Sequence, residues 1–195
     1  YMLLMMALMP AQVMKDFPIV NVTGGYIDVT TASGDTDGID SNGNYIQTGG
    51  FVLVKGGSSS GNVSGSIDVD GTVTITGGTC VALGGVCETP VNSANAYVLS
   101  SASFSSGSYS LKNSSGNEVI SFTVDGSFIN GWICSDTLVT GTSYTLYQGS
   151  DSIADWTQEL EQWELLGLAA SAVDSAVRPA ASAVADAKRL HIRLV

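Results

Sequence analysis

One arrangement of apolar and polar positions occurs three times along the chain. Val22-Thr23-Gly24-Gly25-Tyr26-Ile27-Asp28-Val29, Gln47-Thr48-Gly49-Gly50-Phe51-Val52-Leu53-Val54 and Ile75-Thr76-Gly77-Gly78-Thr79-Cys80-Val81-Ala82 each carry a short run, a Gly pair and a second short run. The Thr-Gly-Gly starts fall at Thr23, Thr48 and Thr76, so the periods are 25 and 28 residues. Periods of this size mark stacked units, none of which buries its apolar face alone. No helical period separates the runs. The pattern therefore predicts a right-handed parallel β-helix over residues 20–93, with about three short strands per coil. The Gly pairs fit corners that need a positive φ and where neighbouring coils press together.

Beyond residue 94 the pattern changes. Ser108-Tyr109-Ser110-Leu111-Lys112, Val119-Ile120-Ser121-Phe122-Thr123-Val124 and Ser143-Tyr144-Thr145-Leu146-Tyr147 alternate as half-buried strands do. Asp125-Gly126, between the second of these and Phe128-Ile129-Asn130-Gly131-Trp132-Ile133-Cys134, is a hairpin signal. This part reads as an antiparallel β flank that covers the ends of the coils, which would otherwise invite edge-to-edge pairing.

The two ends differ from the middle. Tyr1 to Met9 is uncharged, and all five Met lie within the first 14 positions. The run is too short to span a bilayer and lacks the basic start of a secretion signal. Residues 1–19 are read as an apolar arm that covers the open end of the core or enters a neighbouring subunit through Leu3, Leu4 and Leu8. After Ser150, Ile153, Trp156, Leu160, Trp163 and Leu166 fall at spacings of three and four. That spacing predicts a helical segment over 151–195, capped at Ser152. Its Trp156, Leu160 and Trp163 pack on the sheet or serve assembly. The domain reading is thus 1–19, 20–150 and 151–195.

Charge narrows the chemistry. The chain has 18 acidic and seven basic residues, a net charge of -11 and a pI near 4.1. Such a chain repels polyphosphate, so no nucleic-acid partner is expected. Between Val20 and Ser150 the bases are Lys55 and Lys112 alone, with no Arg and no His. Eliminative cleavage of a polyuronate by a cationic side-chain base could use only those two lysines. Hydrolysis by paired carboxylates is open in principle, but the carboxylates are interleaved with Gly and amides, which suits metal ligation better, so a non-catalytic protein is expected. Cys80 and Cys87 bracket Gly84-Gly85, a spacing that a turn can close into a disulfide. Cys134 is then left over, either buried or paired with a neighbouring chain.

The strongest chemical signal is Gly34-Asp35-Thr36-Asp37-Gly38-Ile39-Asp40-Ser41-Asn42-Gly43-Asn44, followed in the next repeat by Asp68-Val69-Asp70-Gly71. Hard cations take six to eight oxygens from such carboxylates, amides and carbonyls. An EF-hand is excluded, because position twelve from Asp35 is Ile46. Stacking of the repeats would bring the two strings together as a Ca2+ site built from Asp35, Asp37, Asp40, Asn42, Asp68 and Asp70.

Asp37-Gly38-Ile39-Asp40-Ser41-Asn42-Gly43-Asn44, with Ile46-Gln47-Thr48-Gly49-Gly50, Ser66-Ile67-Asp68-Val69-Asp70-Gly71 and Ile75-Thr76-Gly77-Gly78, resembles a carbohydrate-binding-domain family. That family is typified by a clostridial cellulose- and pectate-binding protein with a polysaccharide-lyase-like β-helix. Trp132-Ile133-Cys134 through Gly141-Thr142-Ser143-Tyr144-Thr145-Leu146-Tyr147 is similar to its closing strands. The resemblance spans roughly residues 20–150. It implies a calcium-dependent β-helix that binds acidic or neutral plant polysaccharide, with pectate and cellulose as the ligands to consider. Asp37, Asp40, Asn42, Asp68 and Asp70 lie within the motif strings, whereas Asp35 is added on chemistry alone. Tyr26, Tyr45 and Trp132 are the candidate sugar-stacking aromatics.

The functional expectation is a secreted or cell-surface, non-catalytic, calcium-dependent polysaccharide-binding protein. The alternative is a structural subunit of an extracellular filament or surface layer. Its N-terminal arm and C-terminal helix would then build a homo-oligomer.

Overall fold

A computed structural model describes residues 18–31, 36–57, 65–85, 88–91, 93–99 and 102–159. These residues all fall within the compact unit Tyr1–Glu159. Among the described residues, thirteen strands follow one another and there is no helix.

Three long strands carry the repeat: β1 (Ile19–Thr30), β3 (Asn44–Lys55) and β5 (Val73–Leu83). They stack parallel and in register, Tyr26 beside Phe51 and Phe51 beside Thr79. The Gly pairs lie at the same height in each strand. Gly25, Gly50 and Gly78 have φ of 87°, 83° and 78°. The register shifts between rungs at these positions. A Cβ on Gly50 would lie 2.7 Å from the carbonyl oxygen of Gly25, and one on Gly78 would collide with that of Gly50. Close backbone approach and left-handed geometry thus both require glycine there. Two short strands, β2 (Ile39–Ser41) and β4 (Ile67–Val69), form a separate parallel pair.

The coils do not close, which corrects the expected parallel β-helix. The protein is all-β, with several small sheets, none of them closed or curled. The large sheet is mixed. On the far side of β5, its next strands are antiparallel β11 (Gly131–Ser135) and then β6 (Ala96–Val98). A fourth parallel rung is replaced by chain returning from about 50 residues further on, Cys134 lying opposite Cys80.

The antiparallel flank is a four-stranded sheet in the order β13-β12-β8-β9, where β8 is Gly107–Asn113, β9 Glu118–Val124, β12 Ser143–Gln148 and β13 Asp151–Thr157. Two-residue strands β7 (Ser103–Phe104) and β10 (Phe128–Ile129) pair beside it. Asp125-Gly126 does not make a hairpin, because β9 and β11 belong to different sheets. The β8–β9 turn is instead at Asn113–Asn117, where Asn113 and Asn117 are joined through their backbones and Gly116 has φ of 81°.

The helix expected from residue 151 is absent over the described part. Asp151–Thr157 is β13, joined to β12 through a turn at Gly149 with φ of 59°. Pairing with β12 satisfies backbone groups that a helix start would leave open. Trp156 enters the core and stacks on Tyr97, with centroids 4.1 Å apart and planes at 5°. It is therefore unavailable for assembly. Leu160 and Trp163, like Leu3, Leu4 and Leu8, lie outside the described residues.

Two apolar cores lie against opposite faces of the large sheet. Val52, Val54, Cys80, Ala82, Trp132 and Cys134 pack with Ile67 and Val69 of β4. Leu53, Val81, Leu83 and Ile133 pack with Tyr109, Leu111, Ile120, Phe122, Tyr144 and Leu146 of the four-stranded sheet. Burial on both faces explains why Val52-Leu53-Val54 and Cys80-Val81-Ala82-Leu83 are continuous apolar runs rather than alternating ones.

Candidate functional site

The acidic strings meet on the β2–β4 pair. Ile39 and Ile67 face each other in register and turn toward the core, which leaves Asp40 and Asp68 adjacent and exposed at the next position. Alternation along a strand makes this unavoidable once the isoleucines are buried. Asp37 precedes the pair, and its Oδ1 accepts a 2.6 Å hydrogen bond from the Gly65 amide, which links the two strings. Asp70 follows β4, its amide donating to the Ser41 carbonyl at 2.9 Å. Asn42 is exposed just after β2. Asp35 lies outside the described residues.

The electrostatics register this crowding. Partial burial, then the charges of Asp37, Asp40 and Asp70, hold Asp68 above the usual carboxylate range. Burial also raises Glu88, against a hydrogen bond from its own backbone, and Asp68 and Asp37 add to the rise. Glu88 belongs to neither acidic string in the sequence. It lies 18 residues after Asp70, and only the fold carries it to the cluster; its amide donates to the Ile67 carbonyl at 3.2 Å. Ser66, between Gly65 and Ile67, is fully buried with no hydrogen-bond partner for its Oγ among the described residues.

Hard oxygen donors suit calcium in kind. Among the described residues, however, no three His, Cys, Asp or Glu side chains converge into a closed metal-binding group. Carbonyls, the Asn42 amide and water would have to complete a coordination sphere that the carboxylates only begin.

The three candidate sugar platforms have separate fates. Tyr45 is fully buried, its hydroxyl donating to Gln47 Oε1 at 2.8 Å, while Gln47 Nε2 donates to the Thr79 carbonyl at 3.1 Å. Burial, with Cys80 beside it, pushes the phenol far above its ordinary value. Trp132 is 1% exposed and its indole donates to the Glu88 carbonyl at 2.9 Å. Both are core residues and offer no ring face to a sugar. Tyr26 alone is exposed, at 65%, and stacks on Phe51 with centroids 5.4 Å apart and planes at 12°.

Tyr26 also borders a groove of about 470 Å³ that includes the outward side chains of β8 and β9. Ser110 Oγ donates to Glu118 Oε2 across it at 2.6 Å. Hydrogen bonds from Ser110 and Ser121, with the Lys112 charge, hold Glu118 below the usual carboxylate range. The signal for this face was present in sequence as the polar half of the alternating runs, but alternation does not tell which polar face borders an aromatic ring.

Lys55 is a buried cation. Its Nζ lies 2.9 Å from Asp28 Oδ1 and 2.8 Å from Asp125 Oδ1. Burial lowers its pKa, but the two carboxylates outweigh that and leave it above the ordinary lysine value. A lysine so held is a poor proton acceptor. Cys80 and Cys134 are buried thiols on the same core face. Cys87, the disulfide partner considered from sequence, lies outside the described residues.

No helix of the described residues is long and apolar enough to cross a membrane. Comparison with known protein families, with curated proteins and with solved structures finds no match to this chain.

Proposed function

We propose that this chain is a non-catalytic, calcium-dependent polysaccharide-binding protein of the cell surface or the secreted fraction. The observation that carries the reading is the register of β2 with β4, which sets Asp40 beside Asp68 with Asp37, Asp70 and Glu88 in electrostatic reach. Without a counter-ion these carboxylates repel one another. A bound calcium ion supplies the positive charge that joins them to each other and to uronate carboxylates of a ligand such as pectate. Asp40 and Asp68 hold the ion, and Asn42 and Asp70 add donors at the strand ends.

A second reading, a structural subunit of an extracellular filament or surface layer, is favoured by β1. Among the described residues this 12-residue strand pairs on one side only, with β3. Its Val20, Ile27 and Val29 close the core incompletely, and Ile19 is 55% exposed. Such an edge accepts a further strand from another copy.

Affinity electrophoresis in pectate, with calcium and with chelator, tests the first reading. Retardation that requires calcium and disappears in Asp40→Asn/Asp68→Asn is expected. Retardation unchanged by chelator, or none in either condition, contradicts it. Polymers of the unliganded protein in electron micrographs would favour the second reading.

A further inference from the structure

We infer that the groove between Tyr26 and the β8–β9 hairpin is a binding site for a neutral glycan chain. The inference rests on the polysaccharide-binding reading for its ligand class, but it concerns residues other than the acidic strings.

An exposed aromatic ring backed on one side by a second ring presents a preformed flat face to a ligand. Tyr26 is held in this way. Gly25 turns the strand immediately before it, and Phe51 on the neighbouring rung backs one face of the ring. The opposite face has no ring stacked on it among the described residues. A flat, backed aromatic face suits the C–H face of a pyranose ring.

Polar groups along the groove suit the hydroxyls. Ser108, Ser110, Ser121 and Thr123 follow one another along two paired strands, with Ser110 opposite Ser121 and Ser108 opposite Thr123. Glu118 is oriented by the Ser110 hydroxyl, which donates to its Oε2 at 2.6 Å, and the Ser110 and Ser121 hydroxyls favour its ionised form. A carboxylate has about four acceptor positions, so accepting two hydroxyls still leaves room for ligand hydroxyls. The volume, about 470 Å³, lies within the range of small-ligand sites.

The charge selects the class of glycan. Among the described residues lining the groove, Glu118 is the one charged side chain. A uronate placed beside Glu118 would meet its carboxylate, while the nearby cation Lys112, opposite Glu118 in the hairpin, lies over the Tyr147 ring with its Nζ 5.5 Å from the centroid. A neutral hexose or pentose chain meets no such cost. This groove therefore differs in ligand class from the acidic strings, which need a cation to engage an anionic chain.

Calorimetric titration of the full chain with cello-, xylo- and mannohexaose, in calcium and in chelator, tests the inference. At least one of the three binds, and chelator leaves that affinity unchanged. Tyr26→Ala and Glu118→Gln each weaken it about tenfold, whereas Tyr26→Phe retains it. Thermal melts of the variants check that each is folded. No binding by any of the three overturns the inference, as does binding that Tyr26→Ala and Glu118→Gln leave intact. Hexagalacturonate, titrated in parallel against Asp40→Asn/Asp68→Asn, reports on the calcium reading. Loss of one activity is therefore separable from loss of the other.

Discussion

Lys55 is the one buried charged residue among the described residues, and the asymmetry of its surroundings sets what its removal does. Its side chain is 3% exposed, whereas those of Asp28 and Asp125 are 39% and 73% exposed. Lys55→Met frees two carboxylates that water can solvate, so its cost is small. Asp28→Asn/Asp125→Asn instead strands a buried ammonium with no counter-charge, the more damaging half of a broken pair. Urea denaturation should therefore rank the double carboxylate variant below Lys55→Met; the reverse order would contradict this account. The same contrast between exposed and buried groups separates Tyr26 from Tyr45 and Trp132. Aromatic identity in sequence marks all three alike, and only packing distinguishes a platform from a core residue.

At the scale of elements, the β2–β4 pair converts burial of two isoleucines into a row of like charges. Asp68 and Glu88 have pKa values raised above their unfolded values of 3.8 and 4.5. Groups so raised bind protons more readily in the folded state, so their stabilising protonation is lost as pH rises from the unfolded value through the folded one. Above that window the repulsion is fully present. In chelator, Asp68→Asn should be the more stable protein at pH about 7, and the difference should shrink as pH falls toward about 4. Thermal melts across that range check it, and a difference independent of pH would contradict it. The element scale is also where sequence reading succeeds and fails most clearly. Thr-Gly-Gly at regular intervals is a local signal, and it marks the parallel stacking of β1, β3 and β5 and the need for positive φ, although the Gly pairs lie within the strands at register shifts and not at coil corners. The helix expected over Ile153 and Trp156 rests on spacing that a strand with a register shift also satisfies. Here Gly149 and the facing β12 decide, and neither enters a periodicity argument.

For the whole molecule, the decisive pairings are distant in sequence. The parallel stack ends at β5 because β11, not a further repeat, occupies its edge, joining residues about 50 apart. No local pattern specifies that partner. Glu88 escapes notice for the same reason, whereas Asp40 and Asp68 are legible because the repeat that carries them is itself legible. Among the described residues, the large sheet is buried on both faces around Val52–Val54, Cys80–Leu83 and β11, with an acidic pair of short strands on one side and a polar-faced antiparallel sheet on the other. On this account, the two sides engage carbohydrate by different chemistry, one through a cation and one through an aromatic face.

The most direct test of the central claim is calorimetric titration of calcium into the metal-free chain, beside Asp40→Asn/Asp68→Asn. The account predicts saturable binding by the native protein, accompanied by a rise in its thermal midpoint, with both effects lost in the variant. Equal calcium binding by the two proteins, or none by either, would contradict it.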